Sequence, residues 1–198
     1  MIAAPTKTSL TVDEFWDFVN LPENRDRRFE LRRGEVLEMS RGTWQHGRVC
    51  ARLIYLFERF FELHPHIPGI VIGNDSGVVL DEVAATVVGP DVMVILGPPS
   101  FESVHRKWGD RVPVFVAEVL SPNDRWAEVN EKVEDYLAAG VRLVWVADYE
   151  NRRVTVFAPG AAPQTRTDGE ELSGGEVLPG FACKVADLFR IPGENPQP

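Results

Sequence analysis

A chain of 198 residues, 44% of them apolar, is long enough to bury a substantial core and reads most economically as one domain. No apolar run approaches the roughly 18 uncharged residues of a membrane span. The net charge of −9 excludes nucleic-acid binding driven by a generally cationic surface, while leaving room for contact through metal ions and a local basic patch. The residues Met1–Lys7 lack a basic segment followed by an apolar one, so no signal peptide is expected. Cys50 and Cys183 are too few and too unpatterned for a disulfide framework or a zinc site, and a reducing cytoplasm is the expected location.

Thr11 and Glu14 form a capping box that opens a short helix, with Phe15, Phe18 and Val19 at helical spacing. Residues 29–39 alternate about Arg33-Gly34 and predict a β-hairpin. From Trp44 to about Leu63, Val49, Leu53, Leu56, Phe57 and Phe60 make the longest apolar helical stripe. Ile70–Ile72 and Val78–Leu80 predict strands parted by the turn Asn74-Asp75-Ser76-Gly77. A strand beginning after Asp91 follows, then a Gly-, Pro- and charge-rich loop from Gly97 to Pro113 that would serve as a flap. Beyond the strand around Glu118, Ser121 to Asp124 supplies a helix start, Trp126, Val129, Val133, Tyr136 and Leu137 the buried face, and Gly140 the stop. Val141–Ala147 and Val154–Phe157 are strands, and the segments 177–181 and 185–189 are expected to dock back on the sheet. The order implies an α/β or α+β fold with a mixed central sheet.

Glu118 lies within the most apolar strand of the chain, Val114–Leu120, where an unpartnered carboxylate would cost several kcal/mol, on the order of polar transfer penalties. Asp91 stands at the mouth of a second apolar strand, 27 residues earlier (91 to 118). Two hard carboxylates on neighbouring strands suit Mg²⁺ or Mn²⁺, with the main-chain carbonyl of Val119 as a third ligand. Lys132 lies roughly 12 Å along its helix at 1.5 Å per residue, and Glu118 roughly 10 Å back along its strand at 3.3 Å per residue. A helix folded back on the sheet therefore brings Lys132 level with Glu118.

The run Pro90-Asp91, Glu118 to Arg125, Lys132, Tyr136 and Gly140-Val141 resembles the Uma-two family of restriction-endonuclease-like proteins, within the PD-(D/E)XK nuclease superfamily. Phe29-Glu30-Leu31, His46, Trp145 to Asp148 and Leu178 to Phe181 agree, over roughly Thr11 to Arg190. The resemblance implies a restriction-endonuclease-like fold, a four- or five-stranded mixed sheet flanked by helices, spanning 11–190 between an N-terminal arm (1–10) and a tail (191–198). It implies a metal site on Asp91 and Glu118, a DNA substrate, and weaker catalytic roles for Glu30 and His46. Leu120 occupies the place of the superfamily's usual lysine, and the resemblance transfers that role to Lys132. Cutting both strands would most simply use a homodimer. Two other function classes remain open: a nuclease fold kept as a binding or assembly module, and a metal hydrolase of small phosphoesters.

Overall fold

The structure, a computed structural model, describes residues 9–97, 107–122 and 124–193. Helix α1 (Val12–Val19) opens with the capping box: the Thr11 hydroxyl accepts from the Glu14 amide, and the Glu14 carboxylate accepts from the Thr11 amide. Strands β1 (Arg28–Arg32) and β2 (Glu35–Met39) form the hairpin. Its turn residues Arg33 and Gly34 both have positive φ (50° and 76°), the geometry whose twist matches a tight hairpin.

Helix α2 (Trp44–Leu63) starts at Thr43, whose side chain accepts from the His46 amide. Strands β3 (Gly69–Gly73), β4 (Val78–Asp81), β5 (Thr86–Val88), β6 (Val92–Leu96) and β7 (Phe115–Val119) follow, then helix α3 (Trp126–Ala139). The remaining elements are β8 (Leu143–Asp148), β9 (Arg153–Phe157), β10 (Gln164–Thr167), β11 (Glu171–Ser173), β12 (Ala182–Lys184) and helix α4 (Val185–Phe189).

Among the described residues the main sheet has six strands, in the order β10-β9-β8-β7-β6-β3, one or two more than expected. It is mixed, because β7 and β8 run parallel around α3 while the other pairs are antiparallel. The β10 strand escapes sequence reading because Gln164–Thr167 holds no apolar residue and lies largely exposed at the sheet edge. A second sheet, β2-β1-β5-β4, packs under α1 through Val12, Phe15, Leu31 and Val87. Helix α2 covers one face of the six-stranded sheet, placing Leu53, Phe57 and Phe60 among Phe115, Ala117, Trp145, Leu178 and Phe181. Helix α3 covers the other, placing Val133 and Tyr136 among Met93, Val116, Val144 and Val146.

Strands β3 and β4 belong to different sheets, the turn between them carrying the chain from one to the other. Two expectations need correction. Helix α3 begins at Trp126 rather than near Asp124, since the Asp124 carboxylate accepts from the Ser121 amide and closes a separate turn. Trp126 itself is exposed, not part of the buried face. Of the expected flap, residues 98–106 lie outside the described residues. Among the described residues no helix is long and apolar enough to cross a membrane.

The chain crosses between the two sheets twice in this region, outward through the turn at Asn74-Asp75 and back through Gly89-Pro90-Asp91. The crossings touch: a Cβ added to Gly89 would lie 2.7 Å from the Asp75 carbonyl oxygen. Asn74 and Asp75 already adopt positive φ (64° and 50°), so the turn has little freedom to retreat. Gly89→Ala should therefore destabilise the protein by about 1–3 kcal/mol, the usual cost of overpacking, read as a lower midpoint in urea denaturation.

Candidate functional site

The antiparallel register of β6 and β7 pairs Val92 with Ala117, so Asp91, one residue before β6, comes beside Glu118. The Val119 amide donates to Asp91 Oδ2 at 2.7 Å, fixing that carboxylate against the end of β7. On its other side, Asp91 Oδ1 lies 3.1 Å from His46 Nε2, presented by the first turn of α2.

Glu118 is buried and turned toward α3. The Tyr136 hydroxyl donates to Glu118 Oε1, and Lys132 Nζ, one helical turn earlier, donates to the same oxygen at 3.0 Å. Lys132 Nζ also lies 2.9 Å from Glu30 Oε1, which accepts in addition from the Gly89 amide at 3.1 Å. Glu30 is only 4% exposed, so it is not a solvent-facing hairpin residue. The Lys132–Glu128 pair that an ordinary surface helix would favour gives way to these buried partners, while Glu128 faces Arg125 at 3.7 Å.

Asp91, His46, Glu118, Lys132 and Glu30 line one cavity of about 750 Å³, together with Arg28, Arg32 and Asp75. Burial pushes the Glu118 carboxyl up to about 7, reinforced by the charges of Asp91 and Glu30 and opposed by Lys132 and by the Tyr136 hydrogen bond. Burial alone would lower Lys132, but Glu118 and Glu30 overcome it and hold the ammonium charged. The Tyr136 hydroxyl is pushed up by burial and then by Glu118, so it stays a donor. His46 is raised by its hydrogen bond to Asp91.

Four neighbours of the site escaped the sequence reading. Asp75 projects into it from the sheet-crossing turn, where Arg28 Nη1 holds it at 2.6 Å. Burial raises its carboxyl, and the charge of Asp91 raises it further. Its sequence signal was only that of a turn. Arg32 lines the cavity with Nε and Nη2 buried and without a hydrogen-bond partner, Glu30 Oε2 standing 3.8 Å from Nε. Tyr136, part of the run that carries the family resemblance, is placed from sequence on the buried face of its helix and given no role at the site. Cys50 lies one turn after His46, its Sγ 3.6 Å from His46 Nδ1. Burial and the acids Asp91, Asp75 and Glu118 raise its thiol strongly. His64 and His66, given no role from sequence, lie edge-on to each other with ring centroids 5.9 Å apart and do not line this cavity. Trp108 packs on Phe15 and Trp16, closing one wall of the cavity.

The family described as "Uma2: Putative restriction endonuclease" matches residues 15–186. Among solved structures, a "putative nuclease belonging to DUF820" from Anabaena variabilis ATCC 29413 is 17% identical, with a TM-score of 0.75, covering 91% of this chain and 97% of that one. At that identity the likeness bears on the fold alone. No curated protein matches the chain.

Removing one member of a buried ion pair leaves the others uncompensated. Lys132→Ala should cost about 3–5 kcal/mol, because Glu118 and Glu30 then lose the ammonium they share. Chemical denaturation at pH 8 checks this, and the loss should shrink toward pH 5, where Glu118 is protonated and no longer needs its partner.

Proposed function

The chain belongs to the Uma2 family of restriction-endonuclease-like proteins, and on that premise we propose that it is a metal-dependent endonuclease hydrolysing DNA phosphodiester bonds. The observation that carries this reading is the convergence of Asp91, Glu118, Glu30 and Lys132, drawn from both sheets and α3, on one cavity.

The donor set fits a hard divalent cation. Asp91 and Glu118 offer carboxylate oxygens, and the repulsion Asp91 exerts on Asp75 is of the kind a bound Mg²⁺ or Mn²⁺ would relieve. Asp91, Glu118 and the Val119 carbonyl would hold the ion. When bound it supplies an activated water and charge neutralisation at the phosphate. Lys132 fixes the Glu118 carboxylate and keeps a positive charge where negative charge develops on the phosphoryl oxygens. Glu30, itself accepting from the Gly89 amide, holds that ammonium from behind. Arg32, whose buried guanidinium still has donors to offer, would bind a phosphate oxygen. His46, oriented by Asp91, would carry a proton. A symmetric dimer would bring two such cavities to the two strands of a duplex.

Supercoiled DNA incubated with Mg²⁺ or Mn²⁺ tests the assignment. Nicking should vanish with chelator and fall by at least about 10²-fold in Asp91→Asn and Lys132→Gln; equal activity in the wild type and both variants would sink it. The pH dependence has a definite sign. Glu118 is raised from an ordinary 4.5 to about 7, so below that value a proton must leave before the carboxylate can bind a cation. Mg²⁺ affinity measured by calorimetry should therefore rise by up to about tenfold per pH unit below pH 7 and level off above it. In Glu118→Gln this slope should disappear.

A further inference from the structure

Sequence reading dismissed Cys50 as unpatterned, yet the fold gives it two neighbours of metal-binding chemistry. His46, Cys50 and Asp91 each offer one ligand atom, and these three atoms lie within 4.8 Å of one another. His46 and Cys50 stand four residues apart on α2, so successive turns present them on the same face. Asp91 reaches them from the start of β6.

The Cys50–His46 separation is that of a chelating pair, while Asp91 Oδ1 stands 3.1 Å from the other ring nitrogen, Nε2. A tetrahedral ion with bonds of about 2.0 Å to nitrogen and about 2.3 Å to sulfur separates those two atoms by about 3.5 Å. Cys50 Sγ lies 3.6 Å from His46 Nδ1. Gly42 packs against the face of the same ring, where a Cβ would fall 2.7 Å from Nδ1, 3.0 Å from Cγ and 3.2 Å from Cε1.

We propose that Cys50, His46 and Asp91 form a binding site for a thiophilic divalent cation of the zinc class, with water as the fourth ligand. It is distinct from the all-oxygen site on the Glu118 side of Asp91. Cys50 binds as the thiolate, its proton passing to solvent, while His46 binds through neutral nitrogen. A thiolate and an imidazole select zinc, cobalt or cadmium over magnesium. Asp91 belongs to both sets of residues, so the two sites share one carboxylate. The proposal concerns metal binding alone and does not depend on nuclease activity.

Cobalt titration of the intact chain, without DNA, tests it. Wild type should develop the near-ultraviolet thiolate-to-cobalt charge-transfer band, removed by Zn²⁺ but not by the same concentration of Mg²⁺. The band should persist in Cys183→Ser and in Glu118→Gln, and be lost in Cys50→Ser and weakened in His46→Gln. Circular dichroism checks the fold of each variant, and Cys50→Ala replaces Cys50→Ser should the latter not fold. No band in the wild type, a band surviving loss of Cys50, or one lost with Cys183 instead would overturn the site.

Discussion

One ammonium group holds the two halves of this molecule in register. Lys132 sits on α3, packed over the six-stranded sheet, yet its Nζ contacts both Glu118 of that sheet and Glu30 of the four-stranded sheet. Burying three charges carries a desolvation cost that their attraction only partly offsets, so the cluster is a poor way to gain stability. It is a good way to fix relative position, since any displacement of β1 against β7 leaves a buried charge without its partner. The Tyr136 hydroxyl and the Gly89 amide complete the hydrogen bonding of the same carboxylates. The site is thus built on a seam, and its polarity is what aligns the seam.

The acids enter by a common route. Asp75 and Asp91 both stand where the chain changes sheets, and these crossings are the places where a backbone leaves one apolar layer before joining the next. A carboxylate there can face the inter-sheet cavity without displacing a core residue. Glu118 is different, for it occupies an interior strand position among fully buried neighbours. Its raised affinity for a proton reflects that placement.

Much of this arrangement was legible in the sequence. A lone acid in an apolar strand announced Glu118, and helix and strand rises together with the family resemblance brought Lys132 level with it, where the structure finds it. The α1, α2 and hairpin boundaries followed from capping residues, apolar spacing and an Arg-Gly turn. What failed to appear depended on long-range packing. Asp75 and Cys50 gain neighbours only when β6 is laid against the start of α2 and the sheet-crossing turn. An all-polar edge strand such as β10 carries no alternation to detect. Trp126 was assigned to the core because it falls at helical spacing, but spacing cannot tell that the first turn of α3 overhangs the sheet.

The lysine's place on a helix rather than a strand changes how the chain can vary in length. A residue inserted between Arg125 and Lys132 would rotate the side chain by about 100° about the α3 axis, away from both carboxylates. A residue inserted within the 120–125 connection could be absorbed as slack before the helix begins. Leu120, relieved of polar duty, is free to pack with Val129 and Leu137 beneath α3. The helix is therefore phase-locked to the sheet by Lys132 and Tyr136, and the connection in front of it is where this fold can lengthen.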